Sequence, residues 1–240
     1  MNNDIVIIMP AYNPDDKFIN FLNELNKEGF NKIIVVNDGS RSDTDHYFKE
    51  AKNKYNCLIV EHETNKGYGC ALKSGGQTFI ERYQDDKEVV GAIHCDCDGQ
   101  HVIEDVLKCA TLIRDNDDAI IVGIRDFDDK NVPLKNKIGN KLTSKIFKLF
   151  FGIEINDTQC GLRGFSKDNV AFTTQLSSLG FEYTTELLLE TRNKNIKIIP
   201  FVIKTVYINN NETTHFNPIK DSIRIYSLIF KYKFKHEKYT

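Results

Sequence analysis

Short, continuous apolar runs recur along this chain, and in its first half each is followed by a loop and a segment with helical spacing. The runs cover residues 5–9, 32–36, 58–60, 89–93, 119–122 and 196–203. Strands that are buried on both faces have this uninterrupted apolar character, and helices that follow them cover the sheet. The pattern predicts an α/β fold with a mainly parallel sheet flanked by helices.

The composition favours one ordinary soluble domain. A chain of 240 residues can bury a sizeable core, and its formal net charge of -2 argues against bulk binding of nucleic acid. The six cysteines show no disulfide spacing and are interpreted as reduced thiols of a cytosolic protein. No apolar run approaches the roughly 20 residues of a membrane-spanning helix. The predicted division is a domain over 1–220 and a basic, amphipathic segment over 221–240.

Two carboxylates, Asp96 and Asp98, follow the fourth apolar run at a spacing of two. Alternate side chains of an extended chain share a face, so both can converge beyond the carboxyl end of a strand, where open α/β sheets bind ligands. Two oxygen ligands suit Mg²⁺ or Mn²⁺ bound together with substrate phosphates. A solvated turn, a zinc site that uses the neighbouring Cys and His residues, and an aspartyl-phosphate phosphatase remain alternatives.

Earlier loops carry small and polar residues that would meet the same rim of the sheet. Asp38 follows the second run, and Gly67 and Gly69 follow the third. Asp38 could accept hydrogen bonds from a nucleoside or could only cap a turn. The glycines could approach a phosphate closely or only provide positive φ.

Five motifs in order resemble the inverting nucleotide-sugar glycosyltransferases of the GT-A fold, and especially the dolichyl- or polyprenyl-phosphate sugar transferases. The resemblance covers nearly the whole chain. The second motif has Asn37 where the family has a first Asp. The motifs are Pro-Ala-Tyr-Asn at 10–13, Asn-Asp-Gly-Ser at 37–40, the glycine loop at 65–71, Asp-Cys-Asp-Gly-Gln-His at 96–101 and the acceptor-side signature at 157–165.

The resemblance implies a GT-A-like, Rossmann-like single domain that binds a nucleoside diphosphate sugar and a divalent cation, Mg²⁺ or Mn²⁺. Asp96 and Asp98 would hold the cation, and His215 is a further candidate ligand, with Asp98 the catalytic carboxylate. The predicted donor-binding residues are Pro10, Ala11, Tyr12, Asn13, Asp38, Gly39, Ser40, Lys66, Gly67 and Asp96.

The acceptor is expected to be a polyprenyl or dolichyl phosphate, with a soluble or polymer glycan hydroxyl as the alternative. Arg125 follows the fifth apolar run, where it could bind a phosphate bidentately or form a surface salt bridge. The resemblance adds Gln159 and Arg163 as acceptor-binding residues. Glu182 and Glu186 could act as the general base that a hydroxyl acceptor needs, or could stabilise a helix start.

Two basic segments predict attachment to an anionic membrane surface. A helix over 135–151 has lysines along one face, and residues 220–240 contain six Lys or Arg against two acids, interleaved with apolar side chains. We therefore expect a cytoplasmic protein, peripheral at the cytoplasmic membrane face. Homo-oligomers remain open, and so do a phosphatase and a non-catalytic sugar-nucleotide sensor as functional alternatives.

Overall fold

Seven strands form one sheet in the computed structural model, which describes residues 2–127, 134–204 and 217–236. The strands are β1 (Ile5–Ala11), β2 (Lys32–Asp38), β3 (Leu58–His62), β4 (Gly91–His94), β5 (Ala119–Arg125), β6 (Arg163–Ser166) and β7 (Lys197–Ile203). The helices are α1 (Asp16–Lys27), α2 (Asp45–Tyr55), α3 (Tyr68–Tyr83), α4 (Ile103–Asp115), α5 (Leu134–Phe151), α6 (Lys167–Thr173), α7 (Tyr183–Asn193) and α8 (Pro218–His236).

The strand order is β3-β2-β1-β4-β6-β5-β7. Every neighbouring pair is parallel except the two that involve β6, which is antiparallel to both β4 and β5. The predicted mainly parallel sheet with flanking helices is therefore confirmed. Strand β6 is an addition, because three of its four residues lie inside the 157–165 segment, which was predicted only as an acceptor motif.

Two hydrophobic cores cover the two faces of the sheet. Along β1, Ile5, Ile7 and Met9 point into the core under α1, α2 and α4, while Val6 and Ile8 point into the core under α3 and α5 to α8. This alternation explains why the whole strand is apolar, since neither face meets water. The result is a single three-layered α/β domain.

The helix boundaries follow local signals in the sequence. Asp15 precedes α1, and its carboxylate accepts a hydrogen bond from the Lys17 amide at 2.9 Å. Gly29 follows the helix with φ of 83°, a conformation that glycine adopts without strain. Strand β4 ends at His94, so Asp96 and Asp98 lie in the loop beyond it and not on the strand itself.

Helix α8 runs across residue 220, where the sequence analysis divided the chain, and that division stays a prediction. Ile225, Leu228 and Ile229 on its inner side are buried. These three side chains were predicted to be available to a membrane and are instead part of the core. No helix within the described ranges is long and apolar enough to cross a membrane.

The outer sides of α5 and α8 are unusually apolar. Of the nine large apolar side chains that are exposed in the described residues, six lie on these two helices. They are Leu142, Leu149, Ile219, Ile223, Phe230 and Phe234. The Thr143 hydroxyl lies 3.2 Å from the Tyr226 hydroxyl, which places α5 and α8 side by side. We call these six residues the outer apolar surface.

Candidate active site

The loops after β1 and β2 are bound to each other. The Asn13 amide donates to the Ser40 hydroxyl at 2.9 Å, and the Arg41 amide donates to the Asn13 side-chain oxygen at 2.9 Å. Pro10 and Ala11 are buried at the end of β1. The first two motifs therefore meet at one rim of the sheet, as their position after parallel strands predicts.

Asp38 is buried at the end of β2, and its carboxylate binds the glycine loop. One oxygen accepts from the Lys66 amide at 2.9 Å and from His62 Nδ1 at 2.6 Å, and the other accepts from the Gly67 amide at 2.9 Å. Asp38 and His62 are also register partners across β2 and β3. A direct contact between Asp38 and a nucleoside stays a prediction.

The glycine loop lies against residues 179–183. Gly67 has φ of 101°, and a side chain there would collide with the Leu179 carbonyl oxygen. The same carbonyl accepts from the Cys70 amide at 3.0 Å. Next to it, Tyr68 stacks on Phe181 with ring centroids 5.1 Å apart. Glycine at 67 is thus required both for its conformation and for this close approach.

Tyr68 connects the glycine loop to the carboxylate pair. Its hydroxyl donates to Asp96 Oδ1 at 3.0 Å, and His101 Nε2 lies 3.3 Å from Asp96 Oδ2. Burial raises the pKa of Asp96, but the bonds from His101 and Tyr68 and the His101 charge outweigh burial, and the pKa lies below its ordinary value. Burial and then the Asp96 charge raise the pKa of Asp98. The two neighbouring carboxylates therefore differ in acidity.

The carboxylate pair fits a hard divalent cation that completes its coordination with a substrate. Mg²⁺ is usually held by one or two carboxylates together with substrate phosphates and water. Among the described residues no group of three His, Cys, Asp or Glu side chains could hold a metal by itself. Cys95 lies in the hydrophobic core, where burial raises its thiol pKa well above the ordinary value. His215 lies outside the described residues.

A cleft of about 330 Å³, part of it open to solvent, lies beyond the ends of β4, β5 and β7. Arg125 lies in its wall and binds the fully buried Asp157 bidentately, at 2.6 and 3.0 Å. The lining residues are Asp96, Gln100, His101, Arg125, Gln159, Cys160, Gly161, Ile203 and Lys204. The cleft is thus lined by one predicted metal ligand, Asp96, and by two of the three predicted acceptor residues, Arg125 and Gln159.

Arg163, the third predicted acceptor residue, lies behind the cleft. It is 1% exposed, and its guanidinium donates to the carbonyl oxygens of Thr158, Cys160 and Thr184 at 2.9, 3.1 and 2.8 Å. These bonds fix the loop that carries Gln159. The contacts favour a positioning role, and direct acceptor binding by Arg163 stays a prediction.

Glu182 and Glu186 occupy the start of α7 as predicted, but their environments differ. The buried Glu186 carboxylate accepts from the Ser177 amide and hydroxyl, the Ser178 amide and the Tyr232 hydroxyl. Among the described residues, the Glu182 carboxylate accepts a bond from the Gly180 amide, and its Oε2 is buried without a hydrogen-bond partner there. The carboxylate of Glu182 is therefore held by fewer bonds than that of Glu186.

Several residues of the site carry no motif signal of their own. His62 ends β3, Tyr68 stands between the two loop glycines, and Lys204 follows β7. Their partners come from other strands and loops, so only the end-of-strand position of His62 and Lys204 could have marked them as rim residues. His101 was considered as a zinc ligand and as the last residue of the motif at 96–101, and the structure places its Nε2 3.3 Å from Asp96.

The fold is that of the GT-A glycosyltransferases. The solved structure of S. aureus TarS in complex with UDP-GlcNAc superposes with a TM-score of 0.58 at 16% identity, covering 95% of this chain and 66% of that one. The structure of GalNAc-T7 with UDP, GalNAc and Mn²⁺ gives a TM-score of 0.54 at 13% identity, covering 95% of this chain and 49% of that one.

Sequence comparison identifies the family. Residues 6–171 match the glycosyl transferase family 2 domain. The chain is also 32% identical, over 220 residues, to the UDP-N-acetylglucosamine–dolichyl-phosphate N-acetylglucosaminyltransferase of Methanococcus voltae, with 85% of this chain and 86% of that one covered. The chain belongs to glycosyl transferase family 2, and it is an enzyme that transfers sugars. The phosphatase and sensor alternatives are set aside.

Proposed function

We propose that this enzyme transfers a sugar from a nucleoside diphosphate donor to a dolichyl or polyprenyl phosphate. The observation that carries the proposal is the cleft where Asp96 lies in the same wall as Arg125, Gln159 and Lys204. A cationic, hydrogen-bonding cleft beside two carboxylates suits a phosphate acceptor next to a metal–diphosphate donor. The dolichyl-phosphate transferase of M. voltae supports the same acceptor class.

On the donor side, the loops after β1, β2 and β3, which are hydrogen-bonded to one another, form the proposed nucleoside site. Of the predicted donor-binding residues in these loops, Tyr12, Asn13, Ser40 and Lys66 have side chains that are at least partly exposed. Asp96 and Asp98, with His215 as a further candidate, would hold Mg²⁺ or Mn²⁺, which neutralises charge on the leaving diphosphate when bound.

On the acceptor side, a phosphate oxygen would attack the anomeric carbon and the nucleoside diphosphate would leave from the opposite face, which inverts that centre. A phosphate is already ionised near neutral pH, so its attack needs no general base. Arg125 is held by Asp157, so its guanidinium is fixed in the wall of the proposed acceptor cleft. We propose that the enzyme acts at the cytoplasmic face of an anionic membrane, where its lipid substrate would lie, with α5 and α8 against the lipid.

The test is a transfer assay with dolichyl phosphate and a panel of nucleoside diphosphate sugars, beginning with UDP-N-acetylglucosamine. We expect a lipid-extractable sugar phosphate, with nucleoside diphosphate released in equal amount. The matched variant is Asp98→Asn, which keeps the shape of the side chain and removes its charge. Turnover should fall roughly a hundredfold in this variant, and EDTA should stop the wild-type enzyme. Turnover that EDTA leaves unchanged would remove the metal from the proposal.

A glycan hydroxyl is the second candidate acceptor, and Glu182, whose carboxylate makes fewer hydrogen bonds than that of Glu186 among the described residues, is its candidate general base. A hydroxyl needs a base, so Glu182→Gln should then lower kcat by about two orders of magnitude. With a phosphate acceptor the same variant should keep most of its activity. Product formation on a soluble glycan but not on dolichyl phosphate would replace the first proposal with this one.

A further inference from the structure

A buried hydrogen-bond series leads from α3 through β3 to the glycine loop. The Ser74 hydroxyl lies 2.9 Å from His62 Nε2, and His62 Nδ1 lies 2.6 Å from Asp38 Oδ1. Asp38 then accepts the amides of Lys66 and Gly67, both at 2.9 Å. The side chains of His62 and Asp38 are each 5% exposed. The series is therefore closed off from solvent at its centre.

The direction of these bonds follows from the groups. A carboxylate only accepts, so His62 Nδ1 carries the proton that the bond to Asp38 requires. Hydrogen bonds to a carboxylate are short and strong, and more so in a buried site. Without His62, the oxygen that accepts the Lys66 amide would lose its other partner and a rotation of the carboxylate would become easier.

The loop that Asp38 holds leads directly to a residue that contacts the predicted metal-binding carboxylates. The residue after Gly67 is Tyr68, whose hydroxyl donates to Asp96. Gly39 is also pressed against this segment, because a side chain at 39 would overlap the backbone of Thr64 and Asn65. A displacement at Asp38 would therefore reach both the donor loop and the first carboxylate of the pair.

We propose that His62 is a positioning residue for the donor site: its bond to Asp38 fixes the carboxylate that holds the glycine loop. Both oxygens of Asp38 are bound within the protein, Oδ1 by His62 and the Lys66 amide and Oδ2 by the Gly67 amide. The inference rests on the proposed function in one respect, namely that the donor binds at this loop.

The test compares two nearly isosteric variants, His62→Asn and His62→Leu. The side-chain nitrogen of Asn can replace Nδ1 as a donor to Asp38, whereas Leu fills similar space with no donor. We expect His62→Leu to raise the KM for the sugar nucleotide at least tenfold with a smaller change in kcat. The KM of His62→Asn should stay within about threefold of wild type, because Asn keeps a donor to Asp38. The loss of one charge-assisted bond of this kind, as in His62→Leu, corresponds to roughly a tenfold effect.

Amide hydrogen exchange of the substrate-free enzyme provides a second readout that needs no donor. The amides of Lys66 and Gly67 should exchange at least ten times faster in His62→Leu than in His62→Asn. Ser74→Ala removes only the outer bond and should change these rates less. Leu25→Ala, in the core on the opposite face of the sheet, controls for general loss of stability and should leave the loop amides unaffected relative to the rest of the domain.

Equal effects of the Asn and Leu variants on KM and on loop exchange would overturn the proposal, as would an unchanged loop in His62→Leu. If the wild-type enzyme transferred no sugar from any nucleotide, the proposed function would fail while the exchange result would still decide the role of His62.

Discussion

Gly161 shows how closely the site is packed at the scale of single residues. A side chain at this position would overlap the carboxylate of Asp96. The requirement is one of space, since the φ angle of Gly161 lies outside the left-handed region. The acceptor-side loop and the metal-side carboxylate are thus in direct van der Waals contact.

We predict that Gly161→Ala lowers kcat roughly a hundredfold, because a displacement of about 1 Å in a reacting group can have that effect. The domain should remain folded, with a loss of about 1–3 kcal/mol from overpacking. The matched control is Gly139→Ala in α5, where a side chain meets nothing within 4 Å and alanine favours the helix. Steady-state kinetics and thermal unfolding of the pair provide the measurement. Full activity of Gly161→Ala would show that Asp96 is free to move.

The sequence predicts the residues that carry a motif and misses those that depend on register. Asp38, Gly67 and Asp96 stand out by spacing, and the structure brings their loops to one rim. The bond from His62 to Asp38 depends on β2 and β3 pairing in one register, which no local pattern specifies. Acceptor binding by Arg163 stays a prediction, but the sequence does not show that three carbonyl groups enclose its guanidinium, because this depends on the added strand β6.

At the scale of elements, Glu186 joins helices α7 and α8 to the loop beside the donor site. The Tyr232 hydroxyl lies 3.1 Å from Glu186 Oε1 and 2.6 Å from Glu190 Oε1, so its single proton is shared between the two carboxylates. Glu186 in turn accepts the amides of Ser177 and Ser178, the two residues that precede Leu179, whose carbonyl binds the glycine loop. The last helix is therefore part of the framework of the site.

We predict that Glu186→Gln lowers the free energy of unfolding by about 2–3 kcal/mol at pH 7, since hydrogen bonds to a charged group are lost. Burial raises the pKa of Glu186, but the bonds from Ser177 and Ser178 outweigh it and the folded pKa lies below the usual 4.5. The stabilisation is thus complete above about pH 5 and is lost as the pH falls through the folded pKa.

Denaturant unfolding of wild type and Glu186→Gln from pH 3 to 8 checks this prediction, and Glu182→Gln is the control. The difference between wild type and Glu186→Gln should shrink on acidification, while Glu182→Gln, with its single bond, should change stability little. A pH-independent difference would contradict the assignment of the charge to Glu186.

At the scale of the whole molecule, the outer apolar surface and the nearby basic residues predict binding to anionic lipid. Leu149 and Ile219 are 78% and 76% exposed, and Lys145, Lys220 and Lys231 are exposed on the same two helices. Each basic residue near an anionic surface contributes about 1 kcal/mol, and apolar side chains add to this by entering the interface.

We expect the full chain to float with anionic liposomes, to bind neutral liposomes poorly, and to dissociate as salt rises, because charges in water are screened over about 8 Å. Replacing Ile223, Phe230 and Phe234 together by Gln should abolish flotation with little loss of stability, since all three are exposed. Salt-independent binding to neutral liposomes would contradict an electrostatic contribution.

The late position of the antiparallel strand β6 in the chain affects the order in which the two sides of the site can fold during synthesis. The four parallel strands that carry the proposed donor loops have been synthesised by residue 101, and domains fold progressively from the N-terminus during synthesis. The strand that joins β4 to β5 is completed only at residue 166, and β7 at residue 203. Because the glycine loop also packs on residues 179–183, the donor loops and the acceptor side can both reach their final positions only when most of the polypeptide has been made.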